Sequence, residues 1–388
     1  MKTPTGWPKF LKLPRRRVRE KVRILTAVPI CDGHDSAIIT INLELARHGI
    51  EVIYFGYHRA VRDIVRAAIQ EDVHAVGISS YNGGHIEFFT EALRLLRNNK
   101  AGYIRVFGGG GGTITPEDAR LLKRRGVDQI FFAGTPMKKI IDFVLLQYGK
   151  TRSRSFAKNM AGKISSDLKL SQMLTAAETR SLRLPASFPS STRIIGIAGP
   201  GGAGKTTLID ELTLRFLKSR PHGRLAILSH DPSMTGQGAV LGDRATMVYA
   251  QSDRVFMRSL GTRGQSGGLA RGTKDCVAVL RHAGFDMVIV ESAGIGQEDL
   301  PFARSLVDKQ VLVMSPEYGS RLQLQKIVML ETADVVVLNK KDLPGAPTAI
   351  AEIQQRLDFN NKPQKLLSST AKVHLDPGVD QLFELLSS

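Results

Sequence analysis

The chain has 388 residues, 42% hydrophobic and 23% charged, a globular composition that excludes a wholly disordered protein and, at about 150 residues per domain, predicts two to three domains. Its net charge of +18 is concentrated: residues 1–23 and 150–193 each hold nine Lys/Arg, against one acid and two acids respectively. The basicity therefore belongs to a tail and a linker, and with no zinc-finger, helix-turn-helix or RNP-like pattern beside it no nucleic-acid partner is expected. No apolar run approaches the roughly 18 residues that cross a bilayer, and no signal peptide precedes the first strand-like segment, so no membrane association and a cytoplasmic location are expected.

After a basic tail (1–21), short β-type runs alternate with amphipathic stretches. Segments 22–30, 51–55, 73–79, 103–107 and 128–132 predict five strands. Helical patterns cover 36–48, 59–70, 86–98, 115–125 and Met137–Tyr148. This alternation predicts a parallel α/β sheet over 22–148, flavodoxin-like, with ligands bound beyond the C-terminal strand ends. The stretch 149–190, with Arg-Ser repeats and weak periodicity, reads as a linker with one helix near 170–182. A second α/β unit fills 191–388, with strands expected at 193–199, 224–230, 287–292, 310–315, 335–340 and 365–368. Cys31 and Cys276 lie far apart in the chain, which gives neither a disulfide framework nor a paired-cysteine metal site and suits a reducing compartment.

The second unit opens with Gly199-Pro200-Gly201-Gly202-Ala203-Gly204-Lys205-Thr206, a complete phosphate-binding loop between an apolar strand and an amphipathic helix that begins at Thr206-Thr207. Its glycines turn backbone N–H groups toward phosphate oxygens, the helix N-terminus adds positive charge, Lys205 reaches the β/γ-phosphates and Thr206 can ligate Mg²⁺. Asn339-Lys340-Lys341-Asp342, at the end of a later strand, supplies a carboxylate that can accept from both N1–H and N2–H of guanine. GTP/GDP is therefore the expected nucleotide, with Thr370-Ala371-Lys372 as a candidate loop against the base. Asp231 and Glu291 end strands, and Asp243 follows in a glycine-rich loop; these acids are the candidate metal side of the site, with Lys205, Asp231 and Glu291 as catalytic candidates.

These motifs resemble the MeaB/ArgK-type G proteins, which chaperone cobalamin into acyl-CoA mutases. The resemblance covers about residues 193–370 and rests on Asp231-Pro232-Ser233, Gly242-Asp243-Arg244, Glu291 through Gln297 and the phosphate loop. It implies that Asp231, Asp243 and Glu291 approach Mg²⁺, and that residues 315–326 form a switch-like loop. Ser292 stands where threonine is usual and Thr246 where many members carry a second arginine, so nucleotide affinity or hydrolysis rate is expected to differ.

In the first unit, Asp32-Gly33-His34 follows the first strand. A cobalamin pattern of Asp-x-His-x-x-Gly, 41 residues, Ser-x-Leu, 26 to 28 residues and Gly-Gly is met by Asp32-x-His34, residues 38–78, Ser79-Ser80-Tyr81, residues 82–107 and Gly108-Gly109. Ala37 replaces glycine and Tyr81 replaces leucine. His34 would supply the imidazole to cobalt, Asp32 would fix its tautomer, and Ser79, Gly108 and Gly109 would leave room for the cofactor's nucleotide tail. The glycine run by itself equally suits a phosphate loop.

Residues 32–35, 79–85 and 106–112 also resemble the matching segments of fused isobutyryl-CoA mutases, in which a cobalamin domain precedes a MeaB-like G domain. That resemblance implies adenosylcobalamin as cofactor, a large (β/α)₈-barrel acyl-CoA mutase subunit as partner (no barrel candidate lies within the chain), and a homo-oligomer formed through the G domain. Two rivals stay open: a cobalamin-sensing or storage module coupled to a GTPase switch, and a GTPase whose first domain is an empty flavodoxin-like scaffold.

Overall fold

A computed structural model describes residues 20–29, 36–149, 164, 166–179, 182, 191–233, 236–294, 301–318, 328–360 and 362–388. The first sheet contains β1 (Arg23–Ala27), β2 (Glu51–Tyr54), β3 (Ala75–Ser79), β4 (Arg105–Gly109) and β5 (Ile130–Phe131), all parallel. Helices α1 (Ser36–Arg47), α2 (Val61–Gln70), α3 (His85–Asn98), α4 (Pro116–Arg125) and α5 (Met137–Tyr148) supply the crossovers that parallel pairing requires. Their ends follow local chemistry: α4 starts on a Thr115–Asp118 capping box with Pro116 at its first position and stops at Gly126, whose φ is 113°. The fourth strand begins two residues later than the apolar run suggested, because Tyr103 lies in a turn and Gly108-Gly109 belong to the strand.

The second sheet, also parallel, has the order β13-β12-β11-β6-β10-β7-β9. Its strands are β6 (Arg193–Ala198), β7 (Leu225–Asp231), β9 (Val255–Gly261), β10 (Met287–Glu291), β11 (Lys309–Met314), β12 (Val335–Leu338) and β13 (Lys365–Ser368). Around it pack α7 (Lys205–Ser219), α8 (Asp243–Thr246), α9 (Thr273–His282), α10 (Met329–Thr332), α11 (Ala346–Asp358) and α12 (Pro377–Ser387). The central strands are buried on both faces, as near-continuous apolar runs of parallel strands should be.

Three features depart from the sequence expectation. Strand β8 (Ala239–Leu241) lies in the second unit's sequence yet pairs with β2, so the first sheet runs β5-β4-β3-β1-β2-β8. Strand β9 was not expected either. The helix in the stretch read as a linker is α6 (Asp167–Glu178), and it is no solvated spacer: Leu170, Leu174, Ala176 and Ala177 are buried in the second unit's core, while Leu168 packs on the first unit's core.

The two units meet through buried charge. Arg23, counted by sequence with the basic tail, is 2% exposed and donates to Glu51 at 3.0 Å, to Glu71 at 2.7 Å and to the Ser259 carbonyl at 2.9 Å. Arg258 donates to Glu178 at 3.2 Å, and Arg263 pairs with Glu51 at 2.6 Å and also with Glu178. Arg244 reaches Glu71 at 3.2 Å, and Asp72, fully buried, accepts from Thr175 at 2.8 Å. Four arginines thus face four carboxylates, a neutral set, which is the condition under which buried ions persist. Among the described residues no helix is long and apolar enough to cross a membrane.

Candidate functional site

The turn from β6 into α7 forms the phosphate loop. Gly204 caps α7 with φ 87°, and a Cβ there would lie 2.4 Å from Asn339 Nδ2, so a glycine is required on both counts. Gly199 and Gly202 also have positive φ, a Cβ added at Gly201 would meet nothing within 4 Å, and Ala203 is buried. Lys205 is buried and folds back over the loop, donating to the carbonyls of Gly199 and Pro200 at 3.1 Å each. Burial lowers its pKa, opposed by Glu291 and Asp243.

Beyond the helix start, Thr206 Oγ1 lies 2.8 Å from Glu291 Oε1 and 3.4 Å from Asp243 Oδ1. The Ser229 hydroxyl sits between the same two acids, in contact with Asp243 and 3.2 Å from Glu291. Asp231, at the end of β7, has a buried Oδ2 with no partner. Desolvation, then Asp243 and Glu291, raises its pKa well above the usual carboxylate range. Burial, then Asp243, pushes Glu291 up to about 8, and burial raises Asp243 as well. Three carboxylates drawn together out of water, one with an orphaned oxygen, fit a cation.

Among the described residues no group of three His, Cys, Asp or Glu side chains could hold a metal ion by itself, so a cation here would need waters or phosphate oxygens to complete its shell, as Mg²⁺ does. Ser229 escaped the sequence reading. It lies two residues before Asp231 on β7, and the period-2 alternation of a strand was the signal that could have found it.

The base end is a separate cavity of about 260 Å³ lined by Gly204, Thr207, Glu317, Lys340, Asp342 and Thr370 among others. Asp342 faces it and pairs with Lys372, whose hydrogen bond lowers the Asp342 pKa. Asn339 does not face the base with a free amide. Its Nδ2 donates to the Ala203 carbonyl at 3.0 Å and its Oδ1 accepts from Ala371 N at 2.9 Å, which braces the phosphate loop against the 370–372 loop. Lys340 adopts φ 61° and reaches Glu317 at 3.4 Å.

In the first unit a cavity of about 560 Å³ opens at the C-terminal ends of β1, β3, β4 and β5. Ser79, Tyr81, Gly108 and Gly109 line it, joined by Thr26, Ala37 and Thr40. The two glycines contribute backbone rather than spare room, because a Cβ on Gly108 would sit 2.3 Å from Ile78 O and one on Gly109 would sit 2.5 Å from Phe131 O. Thr26 is 1% exposed and its hydroxyl has no partner. A mostly apolar slot with an unsatisfied hydroxyl at its base fits an extended ligand carrying polar groups. Thr26 lies within an apolar strand run, so nothing in the sequence marked it. Asp32, Gly33 and His34 lie outside the described residues, as do Gln297 and most of the switch-like loop.

Comparison with known proteins bears on both cavities. Residues 175–385, more than half of the chain, match the family model described as methylmalonyl-CoA mutase-associated GTPase MeaB. Residues 22–141 match the B12 binding domain. The chain is 35% identical over 95% of its length to a fused isobutyryl-CoA mutase of Geobacillus kaustophilus, of which it covers 36%. It is 38% identical over 90% of its length to that of Cupriavidus metallidurans, covering 33%, and 37% identical over 94% to that of Nocardia farcinica, covering 36%. The chain therefore spans about a third of the length of these relatives.

Proposed function

Because the chain belongs to the MeaB family of mutase-associated GTPases and carries a B12-binding domain ahead of the GTPase, we propose that it holds adenosylcobalamin for an acyl-CoA mutase and uses GTP to gate that cofactor's delivery or protection. The observation that carries the reading is the pairing, in one chain, of the acid-lined phosphate site with the cavity at the Ser79 and Gly108 strand ends. The mutase catalytic part is a (β/α)₈-barrel subunit with which this chain works, and the chain assembles as a homo-oligomer through its G domain.

In the G domain, Lys205 leaves the loop carbonyls and meets the β/γ-phosphates when nucleotide enters, with its positive charge placed where negative charge develops. Thr206, Asp231, Asp243 and Glu291 would hold Mg²⁺, which would supply charge neutralisation at those phosphates. Asp342 selects guanine by accepting from its two donors. In the first domain, His34 would supply an imidazole nitrogen to cobalt and Asp32 would orient its ring. Bound adenosylcobalamin supplies the radical chemistry, while Thr26, Ser79 and the backbone of Gly108 and Gly109 seat its tail.

Mixing the purified chain with adenosylcobalamin tests this. The expected result is a base-off, His-on absorption spectrum that His34→Ala weakens or alters, with GTP hydrolysis that Lys205→Ala abolishes. A spectrum that does not change on mixing overturns the cofactor half of the reading. Equal hydrolysis of ATP and GTP overturns the nucleotide half. Copurification with a barrel-type mutase subunit, and isomerase activity on recombination with it, tests the partner.

A further inference from the structure

A short run of the second unit joins the first unit's sheet. Residues Ala239–Leu241 add to the edge of β2 in register with Glu51, Val52 and Ile53. The approach is close: Gly238 N donates to Ala46 O at 2.8 Å, and a Cβ at 238 would lie 1.8 Å from Ile50 O. Two residues past the strand, Asp243 turns the other way, toward Ser229 and Thr206 in the phosphate site.

The next two residues return to the first unit. Arg244, fully buried, donates to Glu71 at 3.2 Å and to Gln70 at 3.2 and 3.3 Å, both at the end of α2. The Ala245 carbonyl accepts from Arg59 Nη2 at 2.6 Å. Asp243 is therefore fixed from before by strand pairing to β2 and from after by arginine contacts that reach the first unit, while Arg244 also donates to the Met257 carbonyl of β9.

Arg59 also reaches the end of β1, the strand that brings Thr26 to the other cavity. Its backbone N donates to Val28 O at 3.2 Å and it bridges Pro29, just beyond Thr26 in the chain. Its guanidinium lies over Phe55, 4.9 Å from the ring centroid, and its Nε is buried without a partner. A shift of Val28 and Pro29 would carry Arg59 with it, and Arg59 holds the turn that holds Asp243.

Resting on the proposed roles of Asp243 and Thr26, we propose that Arg59 and Arg244 are positioning residues through which the cobalamin domain builds the metal end of the nucleotide site, so that the two sites are energetically coupled. Neither arginine lines the base-end cavity or the first-unit cavity; each acts through Asp243. Coupling of this kind is reciprocal: whatever factor cobalamin imposes on Mg²⁺-dependent GTP binding, Mg²⁺–GTP imposes on cobalamin binding, and factors of about 5 to 150 are usual.

The test uses the full chain and a non-hydrolysable fluorescent GTP analogue, titrated with Mg²⁺ with and without saturating adenosylcobalamin. Without cobalamin, Arg59→Gln is expected to raise the half-saturating Mg²⁺ concentration about fivefold or more, with nucleotide affinity in EDTA and the melting temperature unchanged, and Arg59→Lys to restore part of the loss. With cobalamin, the wild-type Mg²⁺ midpoint is expected to shift several-fold and the Arg59→Gln midpoint to stay put. Should Arg59→Gln fail to fold, Arg244→Lys is read in the same two arms. A variant Mg²⁺ curve that superimposes on the wild type overturns the positioning role, and an equal cobalamin shift in both proteins, or none in the wild type, overturns the coupling. Failure of adenosylcobalamin to bind at all, seen as an unchanged spectrum, would instead sink the cofactor reading, while the cobalamin-free Mg²⁺ arm still decides on Arg59.

Discussion

Replacing Glu71 by Gln removes the most connected anion of the buried charge set. Its carboxylate accepts from Arg23 at 2.7 Å, from Arg244 at 3.2 Å, and from the Ser259 backbone and hydroxyl at 3.1 Å. It is fully buried. The substitution leaves four arginines facing three carboxylates and turns an amide N–H₂ toward groups that are themselves donors. Removing one partner of a buried ion pair typically costs about 3–5 kcal/mol, because the uncompensated charge remains.

Because Arg23 lies in the first unit and Arg244 and Ser259 in the second, the loss should appear as weakened cooperation between them. Urea unfolding followed by circular dichroism is expected to show an unfolding free energy lowered by that amount and a transition that separates into two steps. A double-mutant cycle with Arg244→Met should return a coupling energy of about 0.5–3 kcal/mol, since the second change removes one stranded charge. Stability of Glu71→Gln within about 0.5 kcal/mol of the wild type, with a single transition, would refute the claim that this network joins the units.

Thr26→Val should lower adenosylcobalamin affinity about tenfold without lowering the melting temperature, because the hydroxyl has no protein partner to lose; calorimetry on the two proteins checks both. Asp342→Asn should reduce the preference for GTP over ATP about a hundredfold in competition binding, as the site loses an acceptor for two guanine donors. His230, buried between the Glu291 carbonyl and Thr273 at 2.7 Å each, has its pKa pushed down to about 4 by desolvation, from 6.5. The unfolded chain takes up that proton near 6.5 and the folded one only near 4, so stability falls as pH drops through this window, by about 3 kcal/mol at most. His230→Gln should flatten that part of the profile, and parallel profiles for the two proteins would contradict it.

What the sequence revealed follows burial. Strands such as 193–198, 287–291 and 335–338 are uninterrupted apolar runs because both faces are covered. Strand β9 escaped because Arg258 and Ser259 interrupt its run, and both are there to meet Glu178 and Glu71 across the units. Strand β8 has only three residues, too few for a period to show. Helix α6 lacks a polar face since it is enclosed by both units, so its pattern mimics the weak periodicity of a linker. The phosphate loop and Asp342 were legible because their chemistry is local in sequence. Ser229, Thr26 and Arg59 act through neighbours distant in the chain, and Arg23 looked like tail charge until its carboxylate partners came from β2 and α2.

The enclosure of α6 bears on how this protein can be dissected. A fragment begun at Ser191, where the second unit's first strand is about to start, would discard the helix and bare the α9 face it covers, leaving Arg258 and Arg263 without Glu178. Such a truncation should aggregate or unfold however complete its nucleotide motifs are, whereas one begun ahead of Ser166, the residue that caps the helix, keeps that seam closed. The practical border between the halves therefore runs along the outer side of a helix, not through the arginine- and serine-rich stretch that reads as a linker.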